Sequence, residues 1–229
     1  MTSMIREQER IANNLANANT IGFKHDRTFT TALEEYLDVE GGPQSVRTTE
    51  QIASLEQGAF ESTGNPFDVA IEKDGFFVLS DATGGGDRYT RAGRFSPDAE
   101  GMLRDHHGHV VQGEHGPIHI PRDAEEIDIQ ADGTIHAEGR QVGRLRIVRF
   151  DDPGALERLD GAAFAAPGMQ PIGVDDASVK QGFLETSNVN PLSEMSEMIT
   201  HFRFFESQQK MLQTHDQILS HIARELGKF

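Results

Sequence analysis

The C-terminal segment, residues 191–229, carries an apolar repeat that only a long helix can bring onto one face. Asn190 can cap such a helix, and Pro191 suits its first position because the N–H group there has no partner within the helix. The seam would run for roughly 50 Å at 1.5 Å per residue. That is too long to pack against a small domain, so another helix must cover it. The seven-residue repeat consists of Met198, Phe205, Leu212, Leu219 and Leu226, with Met195 and Phe202 at the partner position.

A second, shorter helix is predicted for residues 1 to about 20. Its end is expected within residues 17–22, because Asn and Gly tolerate the left-handed conformation that stops a helix. Residues of this helix that share one apolar stripe at 3–4 spacing are Met1, Met4, Ile11, Leu15 and Ala18.

Between the helices the pattern changes to short apolar runs separated by turns. Residues 67–71 and 76–79 alternate around Asp74 and Gly75, which predicts a hairpin. Residues 84–86 are expected at a flexible hairpin tip, residues 143–150 in a strand with one wet face, and residues 154–159 in a short helix. Turn signals every ~8–12 residues are typical of a sandwich or barrel of antiparallel strands. Further turns are predicted at residues 100–101, 107–108, 132–133 and 152–154.

The fold class is therefore α+β, with terminal helices that pair as a coiled coil and flank an inserted all-β domain of short antiparallel strands. Because the N-terminal helix is short, the isolated pair would be marginal against an ordering cost of ~1–2 kcal/mol per residue. Neighbouring subunits that bury its outer face would stabilise it, and an open repeat of such contacts builds a filament. The predicted parts are an N-terminal helix and assembly motif at 1–24, an extended or partly disordered arm at 25–57, the β domain at 58–184 and the C-terminal helix at 185–229.

Composition excludes several function classes. The formal net charge is -16 and no basic patch is visible, which argues against nucleic-acid binding. The absence of Cys excludes disulfides and thiolate metal sites. No apolar run approaches the ~18 residues that span a bilayer. No signal peptide is recognisable, so export would need a route without a cleaved signal.

Candidate chemical sites are weak. Five histidines lie between residues 106 and 119, but no ligand set completes a metal site around them. Residues 128–133 approach a calcium loop, yet the twelfth position is Gly139 where Glu is required. No spacing sets up a Ser, His and Asp triad. We expect no catalytic, metal or cofactor site, no cofactor and no small-molecule substrate.

Four segments in the same order resemble the flagellar rod and hook proteins. They are residues 11–24 (IANNLANANTIGFK), 74–77 (DGFF), 89–95 (YTRAGRF) and 182–191 (GFLETSNVNP), and the collinear resemblance covers nearly the whole chain. Residues 203–211 (RFFESQQKM) look most like the proximal class of rod subunit. The family usually carries one or two more helical turns before the segment resembling Ser3 and Met4, so the N-terminal helix here is expected to be short.

The resemblance implies a structural subunit of the flagellar basal-body rod, exported by the flagellar secretion apparatus and assembled in the periplasm into a rigid, torque-transmitting rod. Its partners would be copies of itself and neighbouring rod proteins. The alternatives are a distal rod or hook-type subunit and, from another class, a secreted β-domain enzyme. The Asn-rich residues 13–19 either form a helix end or contact neighbours. The expected assembly interface comprises Met4, Ile11, Asn13, Asn14, Leu15, Asn17, Asn19, Gly22, Phe23, Met195, Met198, Phe202, Phe205, Leu212, Leu219 and Leu226.

Overall fold

The computed structural model describes residues 2–35, 44–81, 86–124, 126–159, 161–174 and 176–226. The chain divides into two compact units. The two ends of the chain, up to Ala16 and from Asn190, form a helical unit, and Asn17–Val189 form a central β unit. The α+β class and the antiparallel strands are confirmed, whereas the sequence placed the boundaries at residues 24 and 184.

Helices α1 (Thr2–Ala16) and α2 (Pro191–Leu226) make up the helical unit. The predicted start of α2 is confirmed, since the Asn190 side chain accepts hydrogen bonds from the backbone N–H groups of Leu192 and Ser193 at 3.1 and 3.3 Å. Within the described residues, neither helix is apolar over a stretch long enough to cross a membrane.

Helix α1 ends about one turn earlier than expected. After Ala16 the chain enters a turn in which the N–H of Thr20 donates to the carbonyl of Asn17 at 3.0 Å. Gly22 has a φ of 67°, the left-handed conformation that the Asn- and Gly-rich sequence predicts at this point.

The central unit contains nineteen short strands among its described residues. They are β1 (Asp26–Glu35), β2 (Gln44–Ala53), β3 (Phe60–Ser62), β4 (Val69–Ile71), β5 (Phe76–Ser80), β6 (Asp87–Thr90), β7 (Phe95–Pro97), β8 (Leu103–Asp105), β9 (Val110–Gly113), β10 (Gly116–Pro117), β11 (Ile127–Ile129), β12 (Thr134–Ala137), β13 (Arg140–Arg144), β14 (Ile147–Arg149), β15 (Glu157–Arg158), β16 (Ala163–Ala165), β17 (Ile172–Gly173), β18 (Val179–Gln181) and β19 (Phe183–Glu185).

Strand β5 is the centre of the largest sheet. It pairs with β6 on one edge and with β9 and β14 on the other, all antiparallel. Successive side chains of a strand point to opposite faces. Phe77 and Leu79 therefore enter one buried cluster with Val111 and Ile147, whereas Phe76 and Val78 enter a second. Burial on both faces explains why β5 is apolar at four consecutive positions.

The hairpin predicted for residues 67–79 is wrong. Strand β4 pairs with β18, and β5 pairs in another sheet. Gly75 turns the chain between them with a φ of 152°, and a Cβ atom there would lie 2.8 Å from Ile147 Cγ2. The alternating pattern identified both strands correctly, but their partners are distant in sequence.

The segment predicted as an extended or partly disordered arm contains two paired strands. β1 and β2 run antiparallel in register from Asp26 opposite Ala53 to Glu35 opposite Gln44. The polar composition of this segment did not indicate this pairing, because the apolar alternation that marks a half-buried strand is weak in it. The predicted turn at residues 41–43 lies outside the described residues.

Three smaller predictions have mixed outcomes. Residues 84–86 fall mostly outside the described residues, although β5 and β6 on either side do pair. The strand expected at 143–150 is two strands, β13 and β14, and the helix expected at 154–159 is a 3-10 turn at Pro153–Ala155 followed by β15. Positive φ angles confirm the turns at Gly101, Gly108 and Gly133.

Replacement of Gly93 by Ala should destabilise the central unit. A Cβ atom at Gly93 would lie 1.6 Å from the Val69 carbonyl oxygen, so β4 would have to shift. Overpacking of this kind costs about 1–3 kcal/mol, and we expect a lower melting temperature by circular dichroism. Gly173→Ala is the matched control, because nothing lies within 4 Å of its Cβ position. Equal melting temperatures for the two variants would contradict this packing.

Candidate assembly interface

Helices α1 and α2 pack against each other in antiparallel directions. The Asn14 side-chain amide donates to Glu194 Oε2 at 3.2 Å, and Arg10 Nη2 lies 3.0 Å from Glu197 Oε1. Ligand atoms of Glu7, Glu197 and His201 lie within 4.8 Å of one another. Contacts closer to the N-terminus of α1 are made with residues further towards the C-terminus of α2, so the two helices run in opposite directions. Helix pairing is thus observed, and coiled-coil packing stays a prediction.

A buried ion cluster lies between the two helices. Arg10 is 5% exposed and contacts Glu7 at 2.7 Å, Glu197 at 3.0 Å and the 4% exposed Glu194 at 3.8 Å. Burial disfavours the Arg10 cation, but the hydrogen bonds that it donates to Glu7 and the three carboxylate charges outweigh burial and raise the pKa of Arg10. The guanidinium stays charged and holds both helices.

The apolar stripe predicted for α1 is only partly where the sequence put it. Ile11 is fully buried, whereas Met4 and Leu15 are half-buried. The most buried face also includes Arg10 and Asn14, which the apolar pattern does not reveal. A signal was available, since Glu194 and Glu197 are spaced to face one cation from the first turns of α2.

The two predicted rows of α2 have different environments. Met198 and Phe205 are half-buried, on the stripe that contains Glu194 and His201. Met195 and Phe202 are 45% and 52% exposed. The rows are offset by three residues, about 60° around the helix axis. Helix α1 therefore faces one of the two rows.

Further along α2, more apolar side chains are exposed. Both helices rise about 1.5 Å per residue, so from the Asn14–Glu194 contact the described part of α1 reaches about residue 206. Beyond it, Met211, Leu212 and Ile218 are 74%, 51% and 53% exposed. The side chains of Leu219 and Leu226 lie outside the described residues.

In the central unit, the segment that follows α1 lies against the segment that precedes α2. The N–H of Gly22 donates to the Glu185 carbonyl at 2.8 Å, and the N–H of His25 donates to Asn188 Oδ1 at 2.7 Å. The Asn188 amide donates in turn to the carbonyls of Ser54 and Glu56, both at 2.9 Å. The N- and C-terminal sequence motifs thus form one contact inside the unit.

At the centre of this contact is an ion pair without solvent exposure. Lys24 Nζ lies 2.5 Å from Glu185 Oε1, and both side chains are 0% exposed. Glu185 also accepts from the N–H of Gly58 at 2.9 Å and lies 3.5 Å from Arg91 Nη1. Lys24 donates further to the Glu56 carbonyl at 2.8 Å. Every charge in the group has a partner.

Burial lowers the pKa values of both cations in this group. For Lys24, desolvation outweighs the attraction of Glu185, and the nearby Arg91 charge adds to the lowering. For Arg91, desolvation outweighs the attraction of Glu185 and Asp74. Glu185 is therefore the buried counter-charge that Lys24 and Arg91 share, and removing it would leave two buried cations poorly compensated.

The structure separates the predicted motif residues into inner and outer ones. Gly22 and Phe23 are buried inside the central unit, with the Arg158 guanidinium 4.3 Å from the centre of the Phe23 ring. They do not lie on a surface as the assembly prediction assumed, because the 17–22 turn directs them inward. Asn17 is half-buried, and Asn13 and Asn19 are exposed.

Among the described residues, three metal-ligating side chains converge at Glu7, Glu197 and His201. Arg10 already contacts both carboxylates, and its positive charge opposes a second cation. His106, His107 and His109 follow one another along an exposed loop, with the His109 ring bonded to Asp105 at 3.0 Å. Neither group alters the prediction that the chain carries no metal.

Removal of Lys24 should strongly destabilise the central unit. Lys24→Met leaves Glu185 buried with one fewer cation, and breaking a buried pair costs about 3–5 kcal/mol. Urea denaturation followed by circular dichroism measures the loss. The control is Lys73→Met, which removes an exposed pair with Asp176 and should change stability little. The account of the motif contact fails if both variants unfold at the same urea concentration.

Three family models match the chain. Residues 5–24 match "Flagella basal body rod protein", residues 70–137 match "Flagellar hook protein FlgE/F/G D1 domain", and residues 180–225 match "Flagellar basal body rod FlgEFG protein C-terminal". These matches include both terminal helices and the strands around β5.

Full-length relatives are similar over nearly the whole chain. The flagellar basal-body rod protein FlgF of Caulobacter vibrioides is 34% identical, over 97% of this chain and 93% of the relative. FlgG of Bacillus subtilis is 34% identical, over 93% and 90%, and FlgF of Escherichia coli is 36% identical, over 93% and 89%. The chain therefore belongs to the FlgF/FlgG family of flagellar basal-body rod proteins, and it is a structural subunit of the basal-body rod.

Proposed function

We propose that this chain is a rod subunit of the proximal class, which assembles with copies of itself and with neighbouring rod proteins through the outer face of α2. The assembled helices would form an inner, load-bearing layer that transmits torque, and the central unit would set the spacing between subunits. Export through the flagellar secretion apparatus to the periplasm belongs to the same proposal. The role requires structural contacts and no catalytic chemistry.

The observation that carries the proposal is an exposed apolar row on α2. Leu192, Met195, Ile199 and Phe202 follow the 3–4 spacing of one helix face and are between 45% and 75% exposed. They belong to the part of α2 that also contacts α1, so pairing within the chain leaves this face uncovered. Isolated exposed apolar residues are ordinary, but a continuous row indicates an interaction surface.

The energies are consistent with assembly-dependent stability. Full burial of one such side chain contributes about 1.5–3 kcal/mol, so covering the exposed halves of four contributes about 3–6 kcal/mol per subunit. Association also costs several kcal/mol of translational and rotational freedom. A single contact would be weak, whereas a subunit that meets several neighbours in a filament would be held firmly.

Burial divides the interface residues that the sequence predicted into exposed ones, which can contact a neighbour directly, and buried ones. Asn13 and Asn19 are exposed and remain proposed contacts to adjacent subunits, as do Met195, Phe202 and Leu212. Gly22 and Phe23 would support the interface from inside the central unit. The interface positions at Leu219 and Leu226 remain as the sequence predicts them.

Two observations bear on the position along the rod. Residues 203–211 resemble the proximal class, and the FlgF relative of Caulobacter vibrioides aligns with 97% of the chain. FlgG relatives at 34% identity keep the distal rod as the second candidate. Electron microscopy of basal bodies that contain a labelled copy of this chain distinguishes them. Label next to the membrane ring supports the proximal class, and label next to the hook supports the distal one.

Acidic substitution on the apolar row should prevent incorporation into rods. Phe202→Asp places a charge on the exposed row that neighbours are proposed to bury, and Leu212→Asp places one on the other row, beyond the reach of α1. We expect a non-motile strain whose basal bodies lack the variant on immunoblots. The central unit should keep the melting temperature of the parent chain, because both side chains are about half exposed.

Ser207→Asp serves as the matched control for this test. Ser207 is exposed and lies about 140° around the helix axis from both Phe202 and Leu212, away from both apolar rows. The Ser207→Asp substitution adds the same charge at a similar position along the helix axis and should leave motility intact. Motile cells carrying Phe202→Asp would overturn the proposed interface.

A further inference from the structure

A small cleft opens in the central unit beside the turn that follows α1. Its volume is about 240 Å³, and one wall is formed by Asn19, Thr20 and Ile21. The remaining lining comes from Ala92 and Arg94 just before β7 and from His106 after β8. Three distant parts of the chain therefore place a guanidinium, an imidazole and a side-chain amide around one space.

The polar groups of this cleft are available to a ligand. Arg94 and His106 are exposed, and within the described parts of the chain neither side chain has a hydrogen bond or ion pair. The nearest loop carboxylate, Asp105, is already engaged. It accepts from the N–H groups of His107 and His109 at 2.9 and 2.8 Å and bonds the His109 ring.

Such a set of groups matches a carboxylate. A guanidinium donates two parallel hydrogen bonds to a carboxylate, and an amide and a protonated imidazole add further donors. The volume suits one acidic side chain, and the wall atoms of Ile21 and Ala92 can contact its methylene groups. We infer that this cleft is a carboxylate-binding site that receives an Asp or Glu side chain from a second copy of this chain.

Charge complementarity favours a second copy as the occupant. The chain has 37 Asp and Glu against 21 Lys and Arg, so copies repel one another in general. A local basic cleft offers one place where an acidic side chain of another copy is attracted, which makes the contact specific. The inference rests on the proposed function, because it names one contact by which the subunits would join.

His106 makes this contact sensitive to pH. Burial lowers the pKa of His106, and His107, Arg94 and His109 lower it further while Asp105 opposes them. An incoming carboxylate would raise that pKa, so association takes up a proton. Association should therefore strengthen as the pH falls and weaken as the pH rises through the raised pKa.

Sodium acetate is the first probe, with the full chain observed by nuclear magnetic resonance. Acetate should shift the Arg94 Nε and His106 ring signals, whereas sodium chloride at the same ionic strength should not. Arg140 and His115 are both exposed and act as internal controls. Equal shifts at Arg94 and Arg140 would overturn the site.

Self-association of the full chain tests the occupant. Sedimentation equilibrium at about pH 6 and about pH 8 should show tighter association at the lower pH. Arg94→Gln and His106→Gln should each weaken it about tenfold at the lower pH. The controls Arg140→Gln and His115→Gln should behave like the parent chain. Their behaviour separates the loss of this cleft from the general effect of losing one basic side chain.

The outcomes separate this inference from the proposed function. Acetate binding combined with parent-like association of Arg94→Gln would overturn the second copy as occupant. A parent chain that stays monomeric at the lower pH would do the same. In either case the rod role would stand if Phe202→Asp still fails to incorporate. A motile Phe202→Asp strain with weak association of Arg94→Gln would retain the cleft and remove the α2 interface.

Discussion

The buried ion pair of Lys24 and Glu185 joins the segment of chain that enters the central unit to the segment that leaves it. An unpaired charge in that position would cost several kcal/mol, so the segments must meet in one register to satisfy it. The backbone bond from Gly22 to Glu185 and the Asn188 amide extend the same contact. The family motifs at the two ends of the sequence are therefore halves of one internal joint. The charged and amide side chains in both segments satisfy one another's hydrogen bonds across this joint.

Helix α2 differs, because part of its apolar surface is not buried within one chain. Its two apolar rows lie about 60° apart, and α1 faces the one that contains Met198 and Phe205. The row of Met195, Ile199 and Phe202 has no cover among the described residues. The central unit pairs its buried charges internally, whereas α2 leaves apolar side chains exposed. This combination is what we expect of a subunit that folds first and then assembles.

Local features were predictable from the sequence and long-range ones were not. The start of α2 at Asn190 and Pro191 depends on hydrogen bonds between neighbouring residues, and it was predicted correctly. The pairing of β4 with β18 joins strands more than 100 residues apart, which alternation alone does not specify. The Lys24–Glu185 pair was missed for the same reason. Arg10 was overlooked because a stripe was expected to be apolar, although the spacing of Glu194 and Glu197 on α2 pointed to it.

Cryo-electron microscopy of the assembled rod tests the central claim most directly, because it shows what covers α2. The account predicts that helices of neighbouring subunits bury Met195, Ile199 and Phe202, while the Lys24–Glu185 pair stays intact in each central unit. A rod in which those three side chains face solvent, with subunits joined only through their β units, would contradict it.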